Sequence, residues 1–322
     1  MEYTHLGRSG LSVSRLCLGT MNLGWKTEEA DSHAILDLGL EEGINFVDTA
    51  NVYGFDAGKG RTEEVLGSWF AQGGERRDKT VLATKVYGGM SDWPNDTFLS
   101  ARNIVRACEG SLRRMRTEWI DLYQFHHVDL RTPWEEIWQA CETLVAQGKV
   151  LYVGSSNHPA WQIAAANEAA DRRNFQGLVS EQSHYNLLTR HVELEVLPAA
   201  RHYGVGIIPW SPLAGGLLAG ALEQPEGTRR SEDRNQKRIE RHRPALEQYE
   251  AFCRELGHAP ADVGVAWLLH QPAVTAPIVG PRTKEQLDGG LRALDVQLDD
   301  AALARLDEIF PGYQPAPKEY AW

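Results

Sequence analysis

Short runs of β-branched and apolar residues recur at regular intervals along this chain, and the stretches between them carry helical periodicity. No other feature limits the possible folds so sharply. The spacing predicts strands at Arg15–Gly19, Ile44–Asp48, Val81–Lys85, Ile120–Gln124, Val150–Gly154, Leu178–Glu181, Gly206–Pro209 and Thr275–Val279. Helices are expected between them at about Ala30–Glu41, Thr62–Ala71, Thr97–Met115, Pro133–Ala146, Pro159–Arg172 and Val192–Tyr203. Strand–helix alternation implies a parallel sheet, and eight repeats suit a closed barrel better than an open sheet. Residues 1–322 are therefore expected to form one α/β domain, a single (β/α)8 TIM barrel. Gly43, Gly148, Gly177 and Gly204 each stand between a helix and a strand, where left-handed C-terminal caps belong. Thr132-Pro133-Trp134-Glu135 places Thr at an N-cap and Pro at the first helical position.

Two segments depart from the repeat. Gly7-Arg8-Ser9-Gly10 lies between Tyr3–Leu6 and Leu11–Ser14 and reads as a β-hairpin ahead of the barrel. Residues 223–243 are charged and nearly devoid of apolar side chains, so a long loop after strand seven is expected to hang over the active face. Two further helices are expected behind it, at roughly Pro244–Leu256 and Ala261–Leu269.

A formal net charge of -11 argues against nucleic-acid and anionic-membrane partners, which need clustered positive charge. No apolar run approaches the ~20 residues of a membrane span. The opening Met1-Glu2-Tyr3-Thr4-His5 has neither the basic flank nor the apolar core of a signal peptide. Cys17, Cys108, Cys141 and Cys253 are isolated from one another, as reduced thiols of a cytoplasmic protein would be.

Four residues carry the chemistry. Asp48, Lys85 and His126 each lie at the end of a predicted strand, and Tyr53 follows Asp48 in the same loop. Ends of consecutive parallel strands converge on the catalytic face of a barrel. A free phenol, with a pKa near ~10, is poorly matched to proton transfer at neutral pH. A neighbouring Lys85 ammonium is expected to lower it, and Asp48 to keep that buried ammonium charged. His126 can orient a substrate oxygen. Of His126 and His127, strand alternation allows only one to face the mouth. Singly, each residue also reads as a cap, a solvated lysine or packing; jointly they make a proton-donating site that stabilises charge on a carbonyl oxygen. They include no hydride source, so a cofactor must supply one. No HExxH or other zinc spacing occurs, so no metal is expected.

A GxGxxG motif is absent, but other groups at strand ends could hold a dinucleotide. Gly154-Ser155-Ser156-Asn157 offers hydroxyl and amide groups suited to a carboxamide, and Glu181-Gln182 closes strand six. Trp210-Ser211-Pro212-Leu213-Ala214-Gly215-Gly216 follows strand seven with a flat ring and then a glycine turn able to approach phosphate. Gly280-Pro281-Arg282-Thr283-Lys284 opens a helix whose N-terminus and Arg282 could hold another phosphate. Trp25, Tyr87, Trp93 and Tyr320-Ala321-Trp322 are candidates for an aromatic substrate pocket.

With these motifs in order, the chain resembles the aldo-keto reductase superfamily over nearly its whole length. The stretches that carry the resemblance are Leu18-Gly19-Thr20-Met21, Gly43-Ile44-Asn45-Phe46-Val47-Asp48-Thr49-Ala50, Ala83-Thr84-Lys85, Asp121-Leu122-Tyr123-Gln124-Phe125-His126, Gly154-Ser155-Ser156-Asn157, Tyr185-Asn186-Leu187-Leu188-Thr189-Arg190 and Ile208-Pro209-Trp210-Ser211-Pro212-Leu213. The resemblance implies a (β/α)8 barrel that passes a hydride from NADPH, less readily from NADH, to a small aldehyde or ketone. It implies Tyr53 as proton donor, Lys85 and Asp48 as its tuners, and His126 as the carbonyl-orienting residue. Ser155, Asn157 and Gln182 would hold the carboxamide, and Trp210 would stack on the nicotinamide. Thr20, Met21, Ser211, Pro212, Leu213, Gly216, Gly280, Arg282 and Gln286 complete the implied cofactor contacts. Trp210, Gly280 and Arg282 look like the bacterial and potassium-channel-β-like branches. Two departures concern the cofactor: Asp288-Gly289-Gly290 replaces a frequent Glu-Asn, and Ala221 stands where a Lys is common. Two other functions remain open, a channel-β-like NADPH-binding redox sensor with slow turnover, and a Schiff-base aldolase using Lys85.

Overall fold

The apolar runs become eight parallel strands: β3 (Cys17–Gly19), β4 (Phe46–Asp48), β5 (Val81–Val86), β6 (Ile120–Phe125), β7 (Val150–Ser156), β8 (Leu178–Gln182), β9 (Gly206–Ile207) and β10 (Ile278–Val279). They are described by a computed structural model covering residues 1–223 and 233–313. Strand order is β10-β3-β4-β5-β6-β7-β8-β9. Backbone bonds Ile207 N→Ala273 O (3.1 Å), Thr275 N→Ile207 O (2.8 Å) and Ile278 N→Pro209 O (2.8 Å) join the two ends and close the barrel. The outer layer contains α1 (Glu29–Glu41), α2 (Arg61–Phe70), α3 (Ala101–Met115), α4 (Trp134–Ala146), α5 (Ala160–Asp171), α6 (Val196–Tyr203), α7 (Asp233–Leu256), α8 (Pro260–Leu269), α9 (Lys284–Arg292) and α10 (Asp300–Ile309).

Alternation along each strand divides the core in two. Cys17, Phe46, Val81, Ala83, Leu122, Val179, Ile208 and Ala276 fill the barrel interior. A larger apolar cluster packs strands against helices. The expected hairpin is present as β1 (Tyr3–His5) paired antiparallel with β2 (Ser12–Ser14). Its Leu6 and Val13 join the interior cluster from below, so the hairpin plugs the barrel floor. Gly7 makes that close approach possible: its φ is +55°, and a Cβ there would stand 2.3 Å from the Val179 carbonyl oxygen. Gly43, Gly148, Gly177 and Gly204 all have positive φ, as caps between helix and strand require.

The charged stretch is not a loop throughout. From Asp233 it is already helical, and α7 runs through Pro244 to Leu256. Ile239, Leu246, Tyr249 and Cys253 supply a buried stripe at helical spacing. Arg243 pairs with Glu240 and Glu247 on the outer face. Thr132 does not cap α4; Pro133 occupies the N-cap, and the Thr132 hydroxyl donates instead to Asp129 at 2.7 Å. The seventh and eighth strands are shorter than expected, because their flanking residues bond across the closure rather than along a regular ladder. Tyr320, Ala321 and Trp322 lie outside the described residues.

Candidate active site

Parallel strands place all their C-terminal ends on one face, and the catalytic candidates meet there. Asp48 ends β4, and Ala83 is its partner in register on β5. Lys85 stands two residues beyond Ala83, hence on the same face and one step further out. Thr84, between them, turns to the helix layer and donates to buried Glu63 at 2.6 Å. The Lys85 ammonium, with no exposed surface, donates to Asp48 Oδ2 (2.5 Å), the Thr49 carbonyl (2.8 Å) and Tyr53 Oη (3.4 Å). Asp48 Oδ1 accepts from the side-chain amides of Gln124 and Gln182, each at 2.9 Å. Every strong hydrogen-bonding group of the ion pair is thereby satisfied, as burial demands.

Burial works against the Lys85 charge, yet Asp48 and Tyr53 outweigh it and the ammonium is held above its ordinary pKa. The phenol of Tyr53 corrects the sequence reading. Burial raises its pKa more than Lys85 lowers it, so it sits above its usual value. Tyr53 is thus firmly protonated, and the ammonium 3.4 Å away is placed to stabilise a phenolate as it forms. His126 packs its ring edge-on to Tyr53, with centroids 5.9 Å apart. Burial, then Lys85, then His127 push the His126 imidazole down to about 2, which keeps it neutral.

His127 does not turn away. Its ring lies parallel to that of His126, 5.0 Å between centroids, because both residues follow the end of β6, where strand alternation no longer applies. Tyr87 packs edge-on to His127 and to Phe98. On the other side, Trp25 contacts Phe55 at 4.3 Å, and Phe55 stacks towards Tyr53 at 6.5 Å. Trp25 and Tyr87 therefore border the mouth. Trp93 is 73% exposed and joins neither aromatic group. Phe55 was missed by sequence reasoning, since a lone aromatic in a glycine-rich loop carries no pattern; His127 was set aside because strand alternation was extended one step past the end of β6.

Of the proposed carboxamide residues, Asn157 and Gln182 come together and Ser155 does not. Gln182 is tied to Asp48; Asn157 donates to the His126 carbonyl (3.2 Å) and accepts from the Trp210 indole (3.0 Å). Ser155 alternates to the outside of β7 and donates its hydroxyl to buried Glu181 at 2.5 Å. Ser156 takes the inner position, receiving a bond from Asn157 and donating to the Gln182 carbonyl. One face of Trp210 is covered by His184, 4.2 Å away and nearly parallel.

Beyond Trp210 the backbone turns sharply. Ser211, ahead of Pro212, and Ala214, Gly215 and Gly216, between Leu213 and Leu217, all have positive φ. Arg238 of α7 reaches down to donate to the Ala214 carbonyl, bringing a cation to the glycine turn that no local motif foretold. Thr283 caps α9 by accepting from the Gln286 amide, and Gln286 Oε1 accepts from the Arg282 amide. Asn22 donates to the Gly280 carbonyl and Thr27 to that of Arg282, tying this turn to the loop that begins with Thr20 and Met21. Thr20 itself donates to the Asp48 carbonyl at 2.8 Å. Asp288, Gly289 and Gly290 stay helical within α9.

A closed parallel barrel with an ammonium, a carboxylate, a phenol and a neutral imidazole at its C-terminal mouth has the build of a barrel oxidoreductase. The chain belongs to the aldo/keto reductase family, whose model matches residues 15–310. It is 53% identical to the "Uncharacterized oxidoreductase YrpG" of Bacillus subtilis, with all of both chains covered. It is 32% identical to the "Versiconal hemiacetal acetate reductase" of Aspergillus parasiticus, over 96% of this chain and 97% of that one. Identity is also 32% to a "Probable voltage-gated potassium channel subunit beta" of Arabidopsis thaliana, over 99% and 100% of the two chains. Among the described residues no helix is long and apolar enough to cross a membrane.

Proposed function

We propose that this chain is an NADPH-dependent reductase of aldehydes or ketones, acting as one domain in the cytoplasm, with Tyr53 as proton donor. The observation that carries the reading is the Lys85 ammonium bonded at once to Asp48 and to the Tyr53 phenol. The donor set fits the cofactor: amides of Asn157 and Gln182 suit a carboxamide, the Trp210 ring suits the nicotinamide face, and the glycine turn with Arg238 and the capped α9 with Arg282 suit phosphates. Bound NADPH supplies hydride to the carbonyl carbon. The protein does the rest. His126, neutral, orients the carbonyl oxygen by donating a hydrogen bond; Tyr53 gives that oxygen its proton; Lys85 stabilises the phenolate left behind; Asp48 keeps Lys85 charged. Trp25 with Phe55, and Tyr87 with His127, form aromatic walls for the substrate. Buried, free cysteines are consistent with a reducing compartment.

A second reading is a cofactor-binding redox module with slow turnover; the Arabidopsis relative is named only as a probable potassium channel subunit. The complete proton-donating group favours an enzyme. Reduction of 4-nitrobenzaldehyde by NADPH at ordinary enzymic rates separates the two. Tyr53→Phe should lose ~10²-fold or more in turnover while NADPH still binds. Unimpaired turnover in that variant overturns the assignment. Cofactor choice has its own test: Arg282→Ala should weaken NADPH by ~1–3 kcal/mol and leave NADH nearly unchanged, since only NADPH carries the 2′-phosphate. Equal losses for both cofactors would show that Arg282 does not read that phosphate.

A further inference from the structure

Glu181 is a fully buried acid on a barrel strand that the proposed reaction does not use. Unlike buried Glu63 and Asp121, which pair with Arg114 and Arg77, it has no cationic partner among the described residues. It lies on β8 beside Gln182 but faces outward. Its carboxylate is satisfied by neutral donors instead: the hydroxyls of Ser155 (2.5 Å) and Ser183 (2.8 Å) and the backbone amide of His158 (3.1 Å). A buried acid without a cationic partner, pushed by burial up to about 7 despite its hydrogen bonds, is a costly way to join two loops when an amide or a hydroxyl could serve.

The donors show what is being held. Ser155 and His158 flank Asn157, whose backbone is left-handed with φ +59°. The Asn157 amide meets the Gln182 carbonyl, its Oδ1 fixes the Trp210 indole, and the Ser183 carbonyl accepts from the Trp210 backbone amide. One carboxylate thus grips both sides of Asn157 and the residue to which Trp210 is anchored. We propose that Glu181 is a positioning residue, holding Asn157 and Trp210 in the relative geometry that receives the nicotinamide ring. This inference rests on the cofactor reading above.

The test compares Glu181→Gln, Asn157→Ala and the double variant with the full wild-type chain, measuring NADPH affinity, aldehyde KM and kcat. The fluorine NMR resonance of Trp210 is followed in fluorotryptophan-labelled protein without cofactor, assigned with Trp210→Phe. Glu181→Gln should raise the NADPH Kd about tenfold, the scale of coupling between residues in contact, and shift the Trp210 resonance. Aldehyde KM should not change. Added to Asn157→Ala it should matter less than about twofold, because the residue through which it acts is gone. Multiplying losses in the double variant, or an unmoved Trp210 resonance with wild-type Kd, overturns the proposal. Should Glu181→Gln fail to fold, Ser183→Ala removes a single donor; a shifted resonance with a Kd up about threefold supports the proposal, and no change in either overturns it. Failure of wild type to bind NADPH would overturn the cofactor reading, whereas the Trp210 resonance is read without cofactor and judges Glu181 separately.

Discussion

A lysine without exposed surface ordinarily sheds its proton, since desolvation penalises the charged form. Lys85 keeps it because each of its N–H groups has an acceptor, one of them an anion. The same ammonium helps to hold His126 neutral, and this has a measurable result. With His126 at about 2, kcat/KM for an aldehyde should show no acid-side break near the ordinary imidazole value of 6.5. A break there would show that the imidazole titrates in the working range. Stability carries the same signature with a definite sign. The folded pKa is depressed, so the unfolded chain binds the extra proton and stability falls as pH drops below 6.5 towards about 2. His126→Gln should remove that part of the fall, seen as a shallower loss of Tm in acid. The positions of Asp48 and Lys85 were legible because strand ends and alternation fix them, and that of His126 because it directly follows the end of a strand. The direction of the phenol's shift was not, since it depends on how deeply Tyr53 is buried, and no local pattern encodes that. Ser155 and Ser156 were confused for a similar reason: the two residues are chemically identical, and only the strand's register decides which faces inward.

Helices and strands were legible wherever a segment carried its own periodicity. They were missed where a neighbour supplied the missing term. In α7 a single apolar residue per turn suffices, because Ile239 extends the stripe of Leu246, Tyr249 and Cys253 upstream of Pro244. The proline read as a helix start because it usually is one. Inside a helix it removes one backbone bond and crowds the preceding turn, at about 3 kcal/mol, while its rigidity in the unfolded chain returns roughly 0.4–1 kcal/mol. Pro244 is exposed, so a replacement meets no packing constraint. Pro244→Ala should therefore stabilise the protein by about 2 kcal/mol, read from chemical denaturation. A neutral or destabilising change would mean that α7 is interrupted at this residue in solution.

At the scale of the molecule, the two ends of the barrel have different duties. The floor is built for closure. Arg15 donates to the carbonyls of Val274 and Thr275 (2.9 Å each) and Leu269 (2.7 Å), tying β2's exit to the segment that seals β9 against β10. Arg15→Met should lower stability by ~2–4 kcal/mol and leave NADPH affinity unchanged, since the floor is remote from the mouth. A loss of affinity without loss of stability would contradict this division. On the proposed cofactor reading, the mouth would have to attract an anionic dinucleotide to a chain of net charge -11, which would make local cations such as Arg238 and Arg282 more important than overall charge. The closure itself has a further consequence. Its two strands are only two residues long, so this seam is the least laddered stretch of the barrel wall, and the turns that would cradle phosphates rise directly from it. On the proposed function, a dinucleotide lying across those turns would brace this seam like a keystone, so the closed ring would resist opening more strongly with its cofactor in place than without it.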